Sequence, residues 1–528
     1  ILSFSLIFFI DFLYLVRKQT DFFYSMYYLG LDIGSSSVKA GLVDASNGKS
    51  IHSVHEPNNE MGIISNKDGW AEQDPNDWWL HTCNAIKRVC HESNSDPKKI
   101  ISIGISYQMH GLVLVDNKGS VLRNSIIWCD SRAVEIGNKA FSEIGEEKCM
   151  KNLLNSPGNF TASKLKWVKD NEPEIYQKIY KYMLPGDFIA FKLSGDINTT
   201  CNGLSEGILW DFQNDTTADW LLEYYGINPN LTPDLVENFS IQGKVNKEAA
   251  LETSLSIGTT ITYRAGDQPN NALALNVFKN GEVAASGGTS GVLYCVTNNI
   301  KSKESSRINH FAHVNHNTNH KSLGKLLCIN GAGIQYRWLR NHSVGNSYEK
   351  MNELASKVAV GSEGVYTIPF GNGAERMLNN INVGTHICNV NLNKHSHGHL
   401  YRSSLEGIAF SFMYGMEILK EDGAKINVLR AGNDNLFRSK IFSNTVATLI
   451  GHEIEIYNTT GAFGAARASA VVDKDLSSFS KDLTANDHVL TYLPLKNKSE
   501  YEDAYENWKK NLLNICLLYT SDAADERH

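Results

Sequence analysis

A chain of 528 residues has room for two sizeable domains, each with its own core. Its composition, 42% hydrophobic and 20% charged, is that of a globular protein, and a net charge of −7 excludes a broad basic surface for nonspecific nucleic-acid binding. Nine cysteines, scattered singly with no Cys-x-x-Cys pair, argue for free thiols in a reducing, cytoplasmic setting and against a disulfide framework or zinc site.

Both ends read as foreign to the fold. In residues 1–25 the positive pair Arg17-Lys18 follows the apolar run, the reverse of a signal peptide. The run is also interrupted by Asp11 and falls short of the roughly 20 residues of a membrane span. The natural start is therefore expected at Met26, with no membrane partner, and residues 513–528 are expected to be a non-native tail.

The first element is a hairpin. Leu29, Leu31 and Ile33 alternate with Gly30 and Asp32, and Val38, Ala40 and Leu42 alternate on the way out. Gly34, Ser35 and Ser36 form a turn whose small side chains leave amides and hydroxyls free to face an anion. Asp32 lies within the first strand, where a charge calls for a partner such as a hydrated metal ion. An ordinary hairpin with a polar turn would look similar. Next, Asp74 and Pro75 cap and open a helix, and Ile101–Ser106 alternates as a strand ending in Gln108, Met109 and His110. A second strand, 125–128, ends in Asp130 and Arg132, so polar groups gather at two strand ends, where α/β sheets present ligand contacts. Lys164–Lys169 and the 174–182 region are expected to be helical.

In the second half, Arg264-Ala265-Gly266-Asp267-Gln268 leads into a helix, and Glu282–Tyr294 repeats the opening design around Gly288, Thr289 and Ser290. This internal echo favours two nucleotide-handling hairpins facing a shared cleft over a chance polar turn. A helix spans 403–420, and 428–435 is a strand running into a small-residue turn suited to a base. The run Gly461-Ala462-Phe463-Gly464-Ala465-Ala466 must pack closely against a neighbour. Two histidine groups, 310/313/316/320 and 395/397/399, invite a metal, but no carboxylate accompanies either at ligand spacing, and none is expected there.

Taken together, Leu-Gly-Leu-Asp-Ile-Gly-Ser-Ser at 29–36, Trp-Ala-Glu-Gln-Asp-Pro at 70–75, Gln-Met-His-Gly at 108–111, Gly-Asp-Gln at 266–268, Gly-Gly-Thr-Ser-Gly at 287–291 and Gly-Asn-Gly-Ala-Glu-Arg at 371–376 resemble the FGGY family of carbohydrate kinases. The pairing of the second and third motifs is most like the members that act on D-xylulose. The resemblance implies an α/β fold of two ribonuclease-H-like domains, of the actin and hexokinase ATPase type, flanking a central cleft. Residues 26–262 would form the sugar-binding domain and 263–512 the nucleotide-binding domain. It further implies transfer of a phosphoryl group from ATP, with Mg²⁺, to a small sugar, and is compatible with a homodimer. By residue-to-residue match, Asp267 is the expected general base, which a sugar hydroxyl needs as a poor nucleophile. Asp32 is expected near the metal and transferring phosphate. Gln108, Met109, His110 and Asp130 are expected at the sugar. Gly34, Ser35, Ser36, Gly288, Thr289 and Ser290 are expected at the phosphates, and Gly432 and Asn433 at adenosine. Other sugars or polyols (ribulose, gluconate, glycerol) and a non-catalytic actin-like module remain alternatives. Ala431-Gly432-Asn433 departs from the family's triple glycine, and Asn202-Gly203-Leu204-Ser205 from its usual Ser-Asp/Asn-Ala run.

Overall fold

Alternating strands and amphipathic helices build two sheets. The computed structural model describes residues 26–343, 347–473 and 475–525, so the expected upstream segment 1–25 lies outside the described residues. The first sheet contains β1 (Tyr27–Ile33), β2 (Val38–Asp44), β3 (Ser50–Glu56), β4 (Ile100–Tyr107), β5 (Phe239–Lys244) and β6 (Thr260–Gly266) in the order β5-β6-β4-β1-β2-β3. The second contains β7 (Glu282–Gly287), β8 (Gly291–Thr297), β9 (Asn309–Ala312), β10 (Leu323–Ile329), β11 (Val428–Gly432), β12 (Ile454–Tyr457) and β13 (His488–Tyr492) in the order β9-β10-β8-β7-β11-β12-β13. In each sheet three antiparallel strands are followed by two parallel ones and an antiparallel edge: β3-β2-β1-β4-β6 matches β10-β8-β7-β11-β12. The expected internal echo is therefore a duplicated sheet. β6 pairs wholly within the first sheet, so the boundary expected between 262 and 263 cuts a strand, and the first sheet ends at Gly266.

Every residue of β1 is buried, although its sequence alternates. The reason lies in glycine. Strand register sets Gly41, Gly30 and Gly104 side by side across β2, β1 and β4. The helix Gly461–Ala468 lies in the groove they leave. A Cβ added at Gly30 would fall 1.8 Å from the Ala462 carbonyl oxygen, and one at Gly104 would fall 1.9 Å from that of Ala465. The expected close packing of this small-residue run is thus backbone against backbone, across the two halves of the chain. Hydrogen bonds fix the seat: the Thr262 hydroxyl donates to the Ser469 carbonyl at 2.8 Å, and Arg467 Nε to the Gly48 carbonyl at 2.9 Å. On the same helix, Gly464 approaches Ala274, the last residue of the helix Asp267–Ala274 that follows β6.

Several local expectations shift. The 174–182 region is helical only over Pro173–Tyr176, and Lys181–Met183 is a strand paired with Val113–Val115. The strand expected at 125–128 is a two-residue ladder, Ser125–Ile126, against Glu72–Gln73, outside both large sheets. The helix expected from 403 begins at His397. The helix Lys498–Asp525 runs through most of the segment expected to be a tail, and Ile515 and Cys516 pack against the second core. Among the described residues no helix is long and apolar enough to cross a membrane. None of the nine cysteines forms a disulfide among the described residues.

Candidate active site

Three strand ends of the first sheet meet at Asp32. It is the penultimate residue of β1, paired in register with Ser106 of β4 and Lys39 of β2. The Ser106 hydroxyl donates to Asp32 Oδ1 at 3.0 Å, and Lys39 Nζ lies 3.3 Å from Oδ2. These two groups are the partners a buried carboxylate requires. Asp267 follows the end of β6 as the first residue of its helix. Burial, reinforced by the nearby Asp32 charge, pushes its carboxyl up to about 7. A carboxylate poised there accepts a proton readily near neutral pH.

The β4 end carries the Gln108-Met109-His110 run. The Gln108 amide donates to the Ile33 carbonyl at 2.8 Å, tying this run to the phosphate-type turn. Met109 is buried, and a Cβ on Gly266 would lie 2.6 Å from its Cγ, so glycine at 266 lets Met109 pack against the chain just before Asp267. His110 takes up φ of +63°, a left-handed conformation uncommon for a histidine. Its ring lies edge-on to Phe160 at 4.8 Å. Nδ1 sits 2.9 Å from the Glu206 carbonyl, which can only accept, so Nδ1 carries the proton and Nε2 keeps a lone pair. Burial, with the Lys164 charge nearby, lowers this ring to about 3, so it is neutral at physiological pH.

The 70–75 motif braces the same turn. Gln73 Nε2 donates to the Ser35 carbonyl at 2.7 Å, and its Oε1 accepts from Trp78 Nε1 at 3.1 Å. Trp128, half exposed, has its indole N–H 3.4 Å from Ser35 Oγ. Ser36 is exposed, and Gly34 and Ser35 are half-buried.

Asp130 is not placed as expected. It is fully buried, its two oxygens accepting from the Ala71 amide at 2.6 Å and from Arg132 Nε and Nη2 at 2.7–3.0 Å. Arg132 also pairs with Glu72 and lies 3.8 Å over the Trp70 ring. No oxygen of Asp130 is left for a sugar, so this expectation is corrected: the residue locks the 70–75 motif to the 125–132 segment. Arg132→Met is expected to destabilise the fold by about 3–5 kcal/mol, because it strands the buried Asp130 carboxylate, whereas Glu72 keeps Arg123 as a partner. Urea unfolding measures it.

In the second half, Gly288–Ser290 form a turn closed by the Gly287–Gly291 pair. The helix Gly333–Asn341 begins directly on it. The Gly333 amide donates to the Gly288 carbonyl at 3.0 Å and the Ile334 amide to that of Thr289 at 3.1 Å. Glu375, from the 371–376 motif, accepts the Asn330 and Gly331 amides and holds the preceding turn. Gly288 and Thr289 open into a cavity of about 430 Å³. Its walls include Tyr336, stacked on Tyr348 at 5.7 Å, together with Arg337, Asn435 and Arg438. Gly432 and Asn433, expected at adenosine, do not line it; Asn435, Leu436, Arg438 and Ser439, just beyond them, do. Ser290 also lies off the lining. The tyrosines escaped sequence reading because they stand on helices without a motif, and only the Asn330-Gly331-Ala332-Gly333 turn before them was a signal.

Of the histidines, His310 pairs through Nε2 with Asp422 at 2.7 Å and His313 lies between Tyr294 and the Val277 carbonyl, both in the core. His310 belongs to β9. The second group does gain a carboxylate. The fold brings Glu363, at φ of +52°, to His395 and His399, with ligand atoms within 4.8 Å of one another. Both Nδ1 atoms, however, accept backbone amides, from Asn391 at 3.0 Å and Ser396 at 3.1 Å. Each of those contacts takes up the Nδ1 lone pair, while His399 Nε2 lies 3.7 Å from Glu363 and Lys394 pairs with the same carboxylate at 2.6 Å. A metal needs that lone pair. At Nδ1, therefore, neither ring offers a ligand atom.

These features have counterparts in known proteins. Residues 27–274 match the FGGY family of carbohydrate kinases, N-terminal domain, and residues 283–472 match its C-terminal domain. A xylulose kinase of Bacillus subtilis is 28% identical over 458 residues, covering 84% of this chain and 88% of its own. The crystal structure of xylulose kinase from Rhodospirillum rubrum superposes with a TM-score of 0.83 at 23% identity, over 94% of this chain and 100% of that one. The Plasmodium falciparum glycerol kinase with ADP gives 0.83 at 20% identity, over 93% and 98%. The duplicated actin- and hexokinase-like sheets are those of sugar kinases, and the two family domains together span the chain from β1 to beyond the glycine-seated helix: it belongs to the FGGY family of ATP-dependent carbohydrate kinases.

Proposed function

We propose that the protein phosphorylates D-xylulose to D-xylulose 5-phosphate. The observation that carries the reading is Asp267: a buried carboxyl raised to about 7, directly after the end of β6 and near enough to Asp32 to feel its charge. In the proposed step the sugar hydroxyl oxygen bonds to the γ-phosphorus of ATP, its proton passes to Asp267, and ADP leaves. Met109, the neutral His110 and Gln108 hold the sugar, with Nε2 of His110 as hydrogen-bond acceptor. The turns at Gly34–Ser36 and Gly288–Ser290 supply amides to the phosphates, and the Tyr336/Tyr348 cavity takes the nucleoside. Asp32 has the donor type and burial to hold a nucleotide-bound Mg²⁺ through water. That ion would spread the charge of the transferring group.

Relatives named xylulose kinase support the choice of sugar, and the equal structural likeness to a glycerol kinase keeps a polyol as the second reading. Coupled ADP release over a panel of D-xylulose, ribulose, gluconate and glycerol, with the unaltered chain and Asp267→Ala, tests both. D-Xylulose should give the highest kcat/KM, and Asp267→Ala should abolish turnover with it. Preference for glycerol or ribulose would replace the substrate, and absence of any sugar-dependent ADP release would overturn the proposal.

A further inference from the structure

Lys164 lies on the helix Thr161–Asn171 and is wholly buried. A buried ammonium is costly unless its donors are matched. Here Nζ donates to the His110 carbonyl at 2.9 Å and to the Ile127 carbonyl at 2.9 Å. The two acceptors belong to different strand ends: His110 closes the run after β4, and Ile127 follows the Ser125–Ile126 ladder. One cation thus pins together the segments expected to carry sugar contacts.

The point it grips at His110 is strained. At φ of +63° the peptide leaving His110 turns away from β4, and that conformation persists only if the surroundings over-determine it. The ring is fixed separately, by Nδ1 to the Glu206 carbonyl and by the Phe160 edge. The main chain is fixed by Lys164. We propose that Lys164 is a positioning residue for the acceptor sugar, acting through the His110 and Ile127 carbonyls to hold the strained backbone that presents the His110 ring. It does not touch the sugar.

The charged and titratable groups facing it from the packed elements are Asp130, Cys129 and Arg132 of the 125–132 segment and Glu206 of the helix Cys201–Glu206. Burial draws its ammonium down to about 7, with Asp130 opposing the shift. The grip on both carbonyls therefore weakens as pH rises through that value.

The inference rests on reading the Met109–His110 strand end as the sugar site. The test compares Lys164→Met, which keeps the stem and removes the ammonium, with Lys164→Gln, which retains a neutral donor. Steady-state KM is measured for D-xylulose and for ATP. D-Xylulose affinity is also followed by calorimetry from pH 6 to 9 in an Asp267→Asn background, which removes the titration of the proposed base. Lys164→Met should raise the sugar KM at least tenfold and Lys164→Gln less, with the ATP KM unchanged within twofold. Sugar affinity should fall above pH 7 only when Lys164 is present. An unchanged sugar KM, or parallel loss of sugar and ATP binding, including by failure to fold, would overturn it. If the unaltered protein turns over no sugar of the panel, the site reading fails instead.

Discussion

Asp267→Asn is expected to lower sugar-dependent kcat by about 10²–10⁴-fold, the usual contribution of a positioned base, without weakening the fold. The sign follows from the carboxyl's position near 7. Below that pH it is protonated and cannot accept the hydroxyl proton, so kcat of the unaltered enzyme should climb through pH 7 and level off above it. Stability runs the other way. A carboxyl whose folded value lies above its unfolded value, about 3.9, favours the fold fully only below that lower value. The contribution is lost as pH rises through about 7. Asparagine carries no charge to bury beside Asp32. At pH 8 its thermal midpoint should therefore equal or exceed that of the unaltered chain. Turnover within tenfold of the unaltered enzyme, or a kcat profile flat from pH 5.5 to 8, would remove Asp267 from the role of base.

Gly30→Ala should be the most damaging single methyl in the protein. Its Cβ would sit 1.8 Å from the Ala462 carbonyl oxygen and 2.5 Å from the Ala466 nitrogen, both backbone atoms. No rotamer relieves such a contact, so strand and helix must separate. Overpacking one group costs typically 1–3 kcal/mol where side chains can adjust, and here the loss should reach or pass the upper end. Gly104→Ala meets the Ala465 carbonyl in the same way at 1.9 Å. Because the two sites share one groove, their losses should not add. Gly62 is the control: nothing lies within 4 Å of its added Cβ, and Gly62→Ala should be neutral. Urea midpoints of the three variants measure the contrast. A Gly30→Ala loss as small as that of Gly62→Ala would mean that helix and strand are not in backbone contact.

Much of this architecture was legible because short-range chemistry wrote it. Alternation marked β1, β2 and β4, and Asp74-Pro75 announced a helix start that the structure places at Pro75. The two glycine-serine turns revealed the duplication. What escaped was set by partners distant in sequence. Nothing near Asp130 shows that Arg132 and the Ala71 amide would consume its oxygens. Lys164 reads as one more lysine on a helix until the fold brings two carbonyls from residues 110 and 127 to it. Glu363 stands more than thirty residues before the histidines it joins. The 262/263 division misjudged where β6 ends because a strand's last residues carry no composition of their own.

The helix Gly461–Ala468 also bears on how the gene could be divided. By sequence it belongs to the second half, yet it covers a seam of bare main chain on the first sheet. A fragment ending at Ala274 would leave that seam open to water, and should be insoluble or molten when made alone. Supplying 275–525 as a separate polypeptide should restore it, since the missing cover travels with that piece. On that outcome the family's two named domains would be units of description, and folding a property of both together.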